Sequence, residues 1–472
     1  MAKKWFFKRK LWSLSKKFSL QDIMTTDVLI KTWVVIASII VVFMIWRWWW
    51  AFATWAWQSV VRQVTIFASQ QIWEPLDKDR YGNINVLIAW YAGDDNRGWL
   101  LTDTIMLASY NPELEAVTFL SIPRDFYVNF GDWHTGKINA LYPNAYIASW
   151  NDHHYASKAL ADKVSEITWV DIPYYAVLDF SWFVTFVDAL WWIDINVPER
   201  IHDTLYPWPN DSYITFSVAP WWQTFDGETA LKYARSRMTT SDFSRALRQQ
   251  LIIEAILQKA TRLWNISTIV TLYENLDDVV KTNIAIKNLF WLGQYMDQER
   301  HYFSYVYTAE CNRSVPDLMA PWCVLYFGER SQFWWMSVLL PQWSSARNLS
   351  YYSHTSDFAF WVIHNQWFLK EKAPIRVLNW IDTQQARALW YRVSGVATAL
   401  ALDLIQRWFT IERITNAPES VAVTKIIIPW DWRYPETIKT LAAFVDYKEV
   451  IADPEFWSWV TIILWLDYLD TM

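Results

Sequence analysis

A chain of 472 residues must turn many times, yet this one has 9 glycines and 37 tryptophans. Ordinary usage of about 7% would give roughly 33 glycines, so the tryptophan excess is of the size of the glycine deficit. The positions are more telling than the count. Pro429-Trp430-Asp431-Trp432 lies between an apolar strand over 425–428 and a helical segment, where a P-G-D-G turn is expected. Trp191-Trp192 separates Val187-Asp188-Ala189-Leu190 from a strand-like stretch over 193–197, and Trp221-Trp222 follows Pro220. Trp408 ends an apolar-periodic stretch over 396–407, where a helix C′ glycine belongs. Such sites favour φ > 0, which is cheap for glycine and costly for a bulky side chain. Many of these tryptophans therefore read as glycines in the living organism, as in bacterial lineages that translate UGA as glycine. A truly Trp-rich chain with an aromatic sugar-binding surface is the competing reading, and the turn positions oppose it.

The N-terminus sets the expected topology. Lys3, Lys4, Lys8, Arg9, Lys10, Lys16 and Lys17 precede any acidic residue, and an apolar run over 28–45 follows, broken only by Lys31. About 20 apolar helical residues span a bilayer, and a basic flank stays in the cytoplasm. Residues 1–27 read as a basic cytoplasmic tail, 28–50 as a transmembrane signal-anchor and 51–80 as a stalk, with everything later outside the cytoplasmic membrane. A cleaved signal peptide fits less well, given the long basic lead and no A-x-A-like site. Outside this tail the chain has no long basic run, and its net charge is −6, which argues against a nucleic-acid partner. Cys311 and Cys323, the two cysteines, stand in the external part; a disulfide and two free thiols both fit their spacing.

Beyond the stalk, strands are expected over 85–89, 104–110 and 116–122, and helices over 156–167, 180–190 and 245–263. Strands alternating with helices imply a layered α/β domain. The stretch 264–370 is less regular. After the linker-like Lys370-Glu371-Lys372-Ala373-Pro374, a second α/β pattern follows. Its strands fall at 375–378, 424–428 and 460–464, with helices at 396–406 and 435–445.

Three clusters carry candidate chemistry. Leu101-Thr102-Asp103-Thr104 closes a polar loop holding Asp94, Asp95, Asn96 and Arg97, and carboxylates gathered by one loop suit Mg²⁺. Ser121-Ile122-Pro123-Arg124-Asp125 ends a strand. Tyr233-Ala234-Arg235-Ser236-Arg237 precedes Asp242-Phe243-Ser244-Arg245-Ala246-Leu247-Arg248-Gln249-Gln250, where Arg245 and Arg248 or Gln249 share a helix face. Five arginines suit a polyphosphate, which a guanidinium grips bidentately; surface ion pairing is the blander account. His153-His154 reads as surface, since adjacent side chains diverge.

These segments, with Lys137-Ile138-Asn139-Ala140, Val187-Asp188-Ala189-Leu190 and Asp226-Gly227-Glu228-Thr229-Ala230-Leu231, stand in the order found in LytR-CpsA-Psr proteins, and the chain resembles that family over 81–265. Where the family has glycine in V-D-A-L-G-G-I-D and P-G-x-Q-x-L-D-G-E, this chain has Trp191-Trp192 and Trp221. The family's G-V-D-S-R is here Trp90-Tyr91-Ala92-Gly93-Asp94-Asp95-Asn96-Arg97, which leaves open whether Asp94 or Asp95 is the first metal ligand. The tail 373–472, with Val377-Leu378-Asn379-Trp380 and Ile463-Leu464-Trp465-Leu466-Asp467-Tyr468, is similar to the LytR-type C-terminal domain.

The resemblance implies a layered α/β/α catalytic domain with a central mixed sheet over 81–265, its remainder and a linker over 266–370, and a small C-terminal α/β domain. It also implies Mg²⁺-dependent transfer of a polyprenyl-pyrophosphate-linked glycopolymer to a peptidoglycan hydroxyl. Asp94, Asp95 and Asp103 are then the metal candidates. Arg124, Arg235, Arg237, Arg245, Arg248 and Gln249 would hold the pyrophosphate, and Arg124, Asp242 and Arg245 would carry catalysis. Asp242 either orients an arginine or accepts the acceptor's proton. The alternative from another class is a non-catalytic anchored protein that binds lipid-linked envelope intermediates.

Overall fold

The computed structural model describes Arg47 and residues 74–91, 100–131, 134–208, 212–236, 242–262, 280–295, 300–309, 324–381, 395–417, 421–454 and 458–471. The expected basic tail, anchor and stalk, both cysteines, Asp94, Asp95 and Arg237 lie outside these residues, apart from Arg47 in the anchor and 74–80 in the stalk. Among the described residues no helix is long and apolar enough to cross a membrane.

A six-stranded sheet forms the centre of the structure. Its strands in chain order are β1 (Ile84–Tyr91), β2 (Thr102–Asn111), β3 (Ala116–Ser121), β4 (Tyr174–Asp179), β5 (Lys281–Thr282) and β6 (His301–Val306). The spatial order is β5-β4-β1-β2-β3-β6. β1–β2–β3 is an antiparallel meander, while β4 joins β1 and β6 joins β3 in parallel, so the sheet is mixed, as expected. Strand side chains alternate between faces. Leu87, Ala89 and Tyr91 enter one apolar core with α1 (Leu141–Ala148), α2 (His153–Thr168) and α6 (Ser353–His364). Ile88 and Trp90 enter the other, under α3 (Phe180–Ala189), α4 (Gly227–Arg235) and α5 (Asp242–Arg262). One sheet with a helical layer on each face is the α/β/α arrangement.

A second mixed sheet of five strands comprises β7 (Pro374–Asn379), β8 (Thr410–Asn416), β9 (Lys425–Pro429), β10 (Glu449–Asp453) and β11 (Val460–Leu464), ordered β8-β7-β11-β9-β10. Its apolar residues Ile375, Val377, Ile426 and Ile462 belong to the same continuous core as Leu87 and Val164. The segment read as a linker is ordered and packed. Lys372 ends α7 (Gln366–Glu371) in the left-handed conformation, and Ala373 is buried. The Glu371 carboxylate accepts hydrogen bonds from the backbone N–H of Glu436 and Thr437 at 3.0 and 2.8 Å, capping the helix Pro435–Leu441. That helix stops four residues short of the expected 445.

The tryptophans adopt the backbone that the sequence pattern anticipates. Of the thirteen non-glycine residues with positive φ among those described, ten are tryptophan, including Trp191, Trp192, Trp221, Trp408 and Trp432. Trp408 terminates its helix as a C′ residue, with Phe409 N–H reaching back to the Leu404 carbonyl at 3.0 Å. Trp222 and Trp430 are not in this set. A left-handed conformation costs an L-residue with a side chain roughly 1–2 kcal/mol.

The start of β1, an interior strand, is tied to α6 by a polar network. Asp79 accepts from Asn83 and Asn85, and Asn83 Nδ2 donates to His364 Nδ1 at 3.0 Å, which requires that nitrogen to be unprotonated. Burial is the main cause that pushes the His364 pKa down, to about 4. A histidine depressed in the folded state stabilises above its unfolded value near 6.5, and that contribution is lost as pH falls towards 4. We expect the unfolding free energy from urea denaturation to fall between pH 6.5 and 4.5, by on the order of 1–2 kcal/mol after discounting for solvent screening. The slope should flatten in His364→Gln; an equal slope in that variant would remove His364 as its source.

Candidate functional site

The N-terminal end of β2, the C-terminal end of β3 and the start of α5 converge on a small cleft. Because β2 and β3 are antiparallel neighbours, the start of one meets the end of the other, and Met106 pairs with Ser121. Asp103 and Thr104 from β2, Ser121 to Asp125 from β3 and its turn, and Arg245, Ala246 and Gln249 from α5 all line it. Arg124 Nη1 donates to Asp103 Oδ1 at 2.6 Å, and both side chains are half-buried. Arg245 and Gln249 are buried.

The turn that carries Arg124 is held from below by the Lys137-Ile138-Asn139 segment. Ile138 N–H donates to the Phe126 carbonyl at 2.7 Å, and Lys137 Nζ pairs with Asp125 at 2.7 Å. These contacts explain a motif whose purpose was not evident from sequence. The same holds for Val187-Asp188-Ala189 and Asp226-Gly227: Asp188 Oδ1 accepts the Gly227 N–H at 2.8 Å where α3 meets α4. Asp226 caps α4 by accepting from Thr229 N–H at 2.8 Å, and this bonding holds its carboxyl below the usual range.

The predicted arginines separate into two groups. Arg124 and Arg245 face the cleft with Gln249. Arg248 does not line it; its Nε donates to the Tyr233 carbonyl at 3.1 Å and its Nη2 to the Ser236 carbonyl, at the C-terminal end of α4. Arg235 lies with its guanidinium carbon 4.9 Å from the Phe180 ring centroid. The helix explains the split: four residues advance about 400°, returning nearly to the same face, whereas three fall about 60° short. The sequence signal missed Ser121, Thr104 and Gln250, which line or support the cleft, although all three stand within the quoted motifs. His153 is not simply surface: its Nδ1 lies 2.8 Å from the Tyr142 hydroxyl, within a cluster of tyrosine rings.

Among the described residues no group of three or more His, Cys, Asp or Glu could hold a metal ion. Asp103 is the one metal candidate among the described residues, and its carboxylate is of the oxygen type that a hard cation such as Mg²⁺ takes; the other candidates, Asp94 and Asp95, are outside the described residues.

A second, apolar cleft of about 270 Å³ opens between α3, α5 and the sheet, lined by Ile88, Trp90, Leu178, Phe183, Ile253 and Ile256 among others. Residues 245 and 253 lie on the same helix, eight residues or about 12 Å apart.

The fold and the cleft thus define an α/β/α domain with a carboxylate–arginine site at one end of its mixed sheet. Residues 60–312 match the LytR_cpsA_psr family, and the chain belongs to that family. It is 32% identical over 161 residues to the probable cell wall biosynthesis protein LcpB of Corynebacterium glutamicum, covering 34% of each chain. It is 25% identical over 238 residues to the polyisoprenyl-teichoic acid–peptidoglycan teichoic acid transferase TagV of Bacillus subtilis, covering 49% of this chain and 55% of that protein. The crystal structure of B. subtilis TagV aligns with a TM-score of 0.43 and 22% identity, over 60% of this chain and 98% of that one. The chain thus spans between a third and just over half of the length of these two curated relatives.

Proposed function

We propose that the protein transfers a glycopolymer from a polyprenyl-pyrophosphate carrier to a hydroxyl of peptidoglycan. One observation carries this reading: a cleft that presents the guanidinium groups of Arg124 and Arg245 and an apolar trough at Ile253 and Ile256 lie along the same helix, α5. That is the shape of an amphiphile with an anionic head and a hydrocarbon tail. A guanidinium keeps its charge and matches phosphate oxygens in pairs. The family membership and the transferase name of the B. subtilis relative support the same chemistry.

In this account the acceptor oxygen bonds to the sugar-side phosphorus while the P–O–P bond breaks, leaving polyprenyl monophosphate. Arg124 and Arg245 hold the phosphate oxygens, and Asp103 fixes Arg124. Asp242 orients an arginine or takes the acceptor's proton. Mg²⁺, held by Asp103 with Asp94 or Asp95, would neutralise charge on the pyrophosphate. Arg235, Arg237, Arg248 and Gln249 complete the proposed anion-binding set, with Arg248 acting through the α4 terminus that it holds.

Residues 28–50 would anchor the chain in the cytoplasmic membrane with the catalytic domain outside. A reporter fused after Met472 should be active only on the outer face; a C-terminus protected from protease in intact spheroplasts would contradict this. The function itself is tested by mass spectrometry of lipid co-purifying with the full chain. A polyprenyl-pyrophosphate glycan is expected, whereas lipid without pyrophosphate would contradict the reading.

A further inference from the structure

Ser121 is nine-tenths buried, lines the Asp103–Arg124–Arg245 cleft, and takes no part in the mechanism above. Its Oγ lies 2.8 Å from Nε2 of Gln250, a fully buried residue of α5. The same nitrogen is 2.7 Å from the Tyr305 carbonyl oxygen. A carbonyl only accepts, so the amide must present its NH₂ group, not its oxygen, to both neighbours. Ser121 Oγ is therefore an acceptor towards Gln250, and its own proton must point elsewhere. Among the described residues no acceptor takes it.

We propose that Ser121 donates this hydrogen bond to the anion in the cleft, and that Gln250 is the positioning residue that turns the hydroxyl towards it. The inference rests on the cleft being a pyrophosphate site. Gln250 also joins α5 to the ends of two strands, where the neighbouring contacts of Ile252 and Ile256 are apolar and non-directional.

The test uses the full chain in detergent and inorganic pyrophosphate as the probe. Wild type is compared by calorimetry with Ser121→Ala, Gln250→Glu, the double variant and Arg124→Lys. A hydrogen bond to a charged group implies roughly tenfold to hundredfold weaker binding for Ser121→Ala, with an unchanged melting temperature. Gln250→Glu reverses the bond. An ionised carboxylate accepts the serine proton; a protonated one donates to Tyr305 and still accepts it. Its loss should match that of Ser121→Ala, and the double variant should bind no more weakly than either single one. A Gln250 that served packing alone would give additive losses, which overturns its positioning role. Should Gln250→Glu not fold, Ser121→Ala decides alone. Wild-type binding in Ser121→Ala with weakened binding in Arg124→Lys overturns the inference and leaves the cleft's function standing. No pyrophosphate binding in wild type overturns both.

A different observation carries a second inference. Nine of the ten left-handed tryptophans are more than half exposed, from 53% for Trp192 and Trp432 to 94% for Trp150. Exposed indoles gain no packing that would offset the strained backbone, and nine such sites together rival the stability of a whole domain; the tenth, Trp408, is buried at a helix C′ position that favours glycine. The backbone assigns glycine to these positions in the native polypeptide, including Trp150, Trp169, Trp334, Trp335 and Trp343, which no turn signal in the sequence had marked. Mass spectrometry of native protein should find glycine at each of the ten; tryptophan at 191 and 192 would overturn this. Independently, a gene encoding glycine at all ten should give a protein that melts higher than one encoding tryptophan, and the opposite order would overturn it.

Discussion

Arg124→Ala should lower transfer by about 10²–10³-fold while leaving the melting temperature nearly unchanged. Preorganised donors aimed at developing charge are worth that much in other enzymes. The Asp103–Arg124 pair is half-exposed and contributes at most about 1 kcal/mol to stability. Arg124→Lys keeps the charge and removes the fork, so an intermediate loss of tenfold to a hundredfold is expected. Arg248 supplies the contrast. It is buried, and its guanidinium bridges the carbonyls of Tyr233 and Ser236. Lysine cannot span both, so Arg248→Lys should lose about 2–3 kcal/mol of stability, and any loss of transfer should follow the unfolding. If Arg124→Ala unfolded the protein while Arg248→Lys left stability intact, the division of the arginines would be reversed.

Gly227→Ala should destabilise the protein by about 3 kcal/mol or more, at the upper end of the range for overpacking. A Cβ at this position would sit 2.2 Å from the Val184 carbonyl oxygen and 2.7 Å from the Val184 carbonyl carbon. These are backbone atoms of α3, so relief requires moving one helix against the other. The shift would also stretch the bond from Gly227 N–H to Asp188. Chemical denaturation of both proteins measures the effect, and an unchanged midpoint would show that α3 and α4 slide freely. Asp226→Asn, which can still accept from Thr229, should cost far less.

Much of this architecture was legible in the sequence. β1, β2 and β3 read as strands because short runs rich in apolar residues are bounded by turn residues, and α2 and α5 because their apolar residues recur at helical spacing. Asp103 was singled out for closing a carboxylate-bearing polar loop, and Arg124 and Arg245 as members of an arginine set suited to phosphate; the structure places all three around one cleft. Other elements gave no such signal. The hairpin of Ile201–Trp208 and Ser212–Val218 is largely exposed, so its pattern is polar and weak. The helix Ser353–His364 has no side-chain cap, and its mixed aromatic sequence fits no clean period. Arg248 resembled Arg245 in type, but it stands about 60° round the helix from it and meets the α4 terminus, a partner that the sequence does not reveal. Ser121 and Gln250 are uncharged, so nothing in the sequence marked them as partners across 129 residues.

The most direct test is a transfer assay with the full-length protein in detergent, a polyprenyl-pyrophosphate glycan donor and a peptidoglycan acceptor, following both products together. Polymer attached to peptidoglycan and polyprenyl monophosphate should appear in equal amounts, at a rate cut at least a hundredfold by Arg124→Ala. Tight donor binding with neither product formed would contradict the account and make the protein a carrier of lipid-linked intermediates.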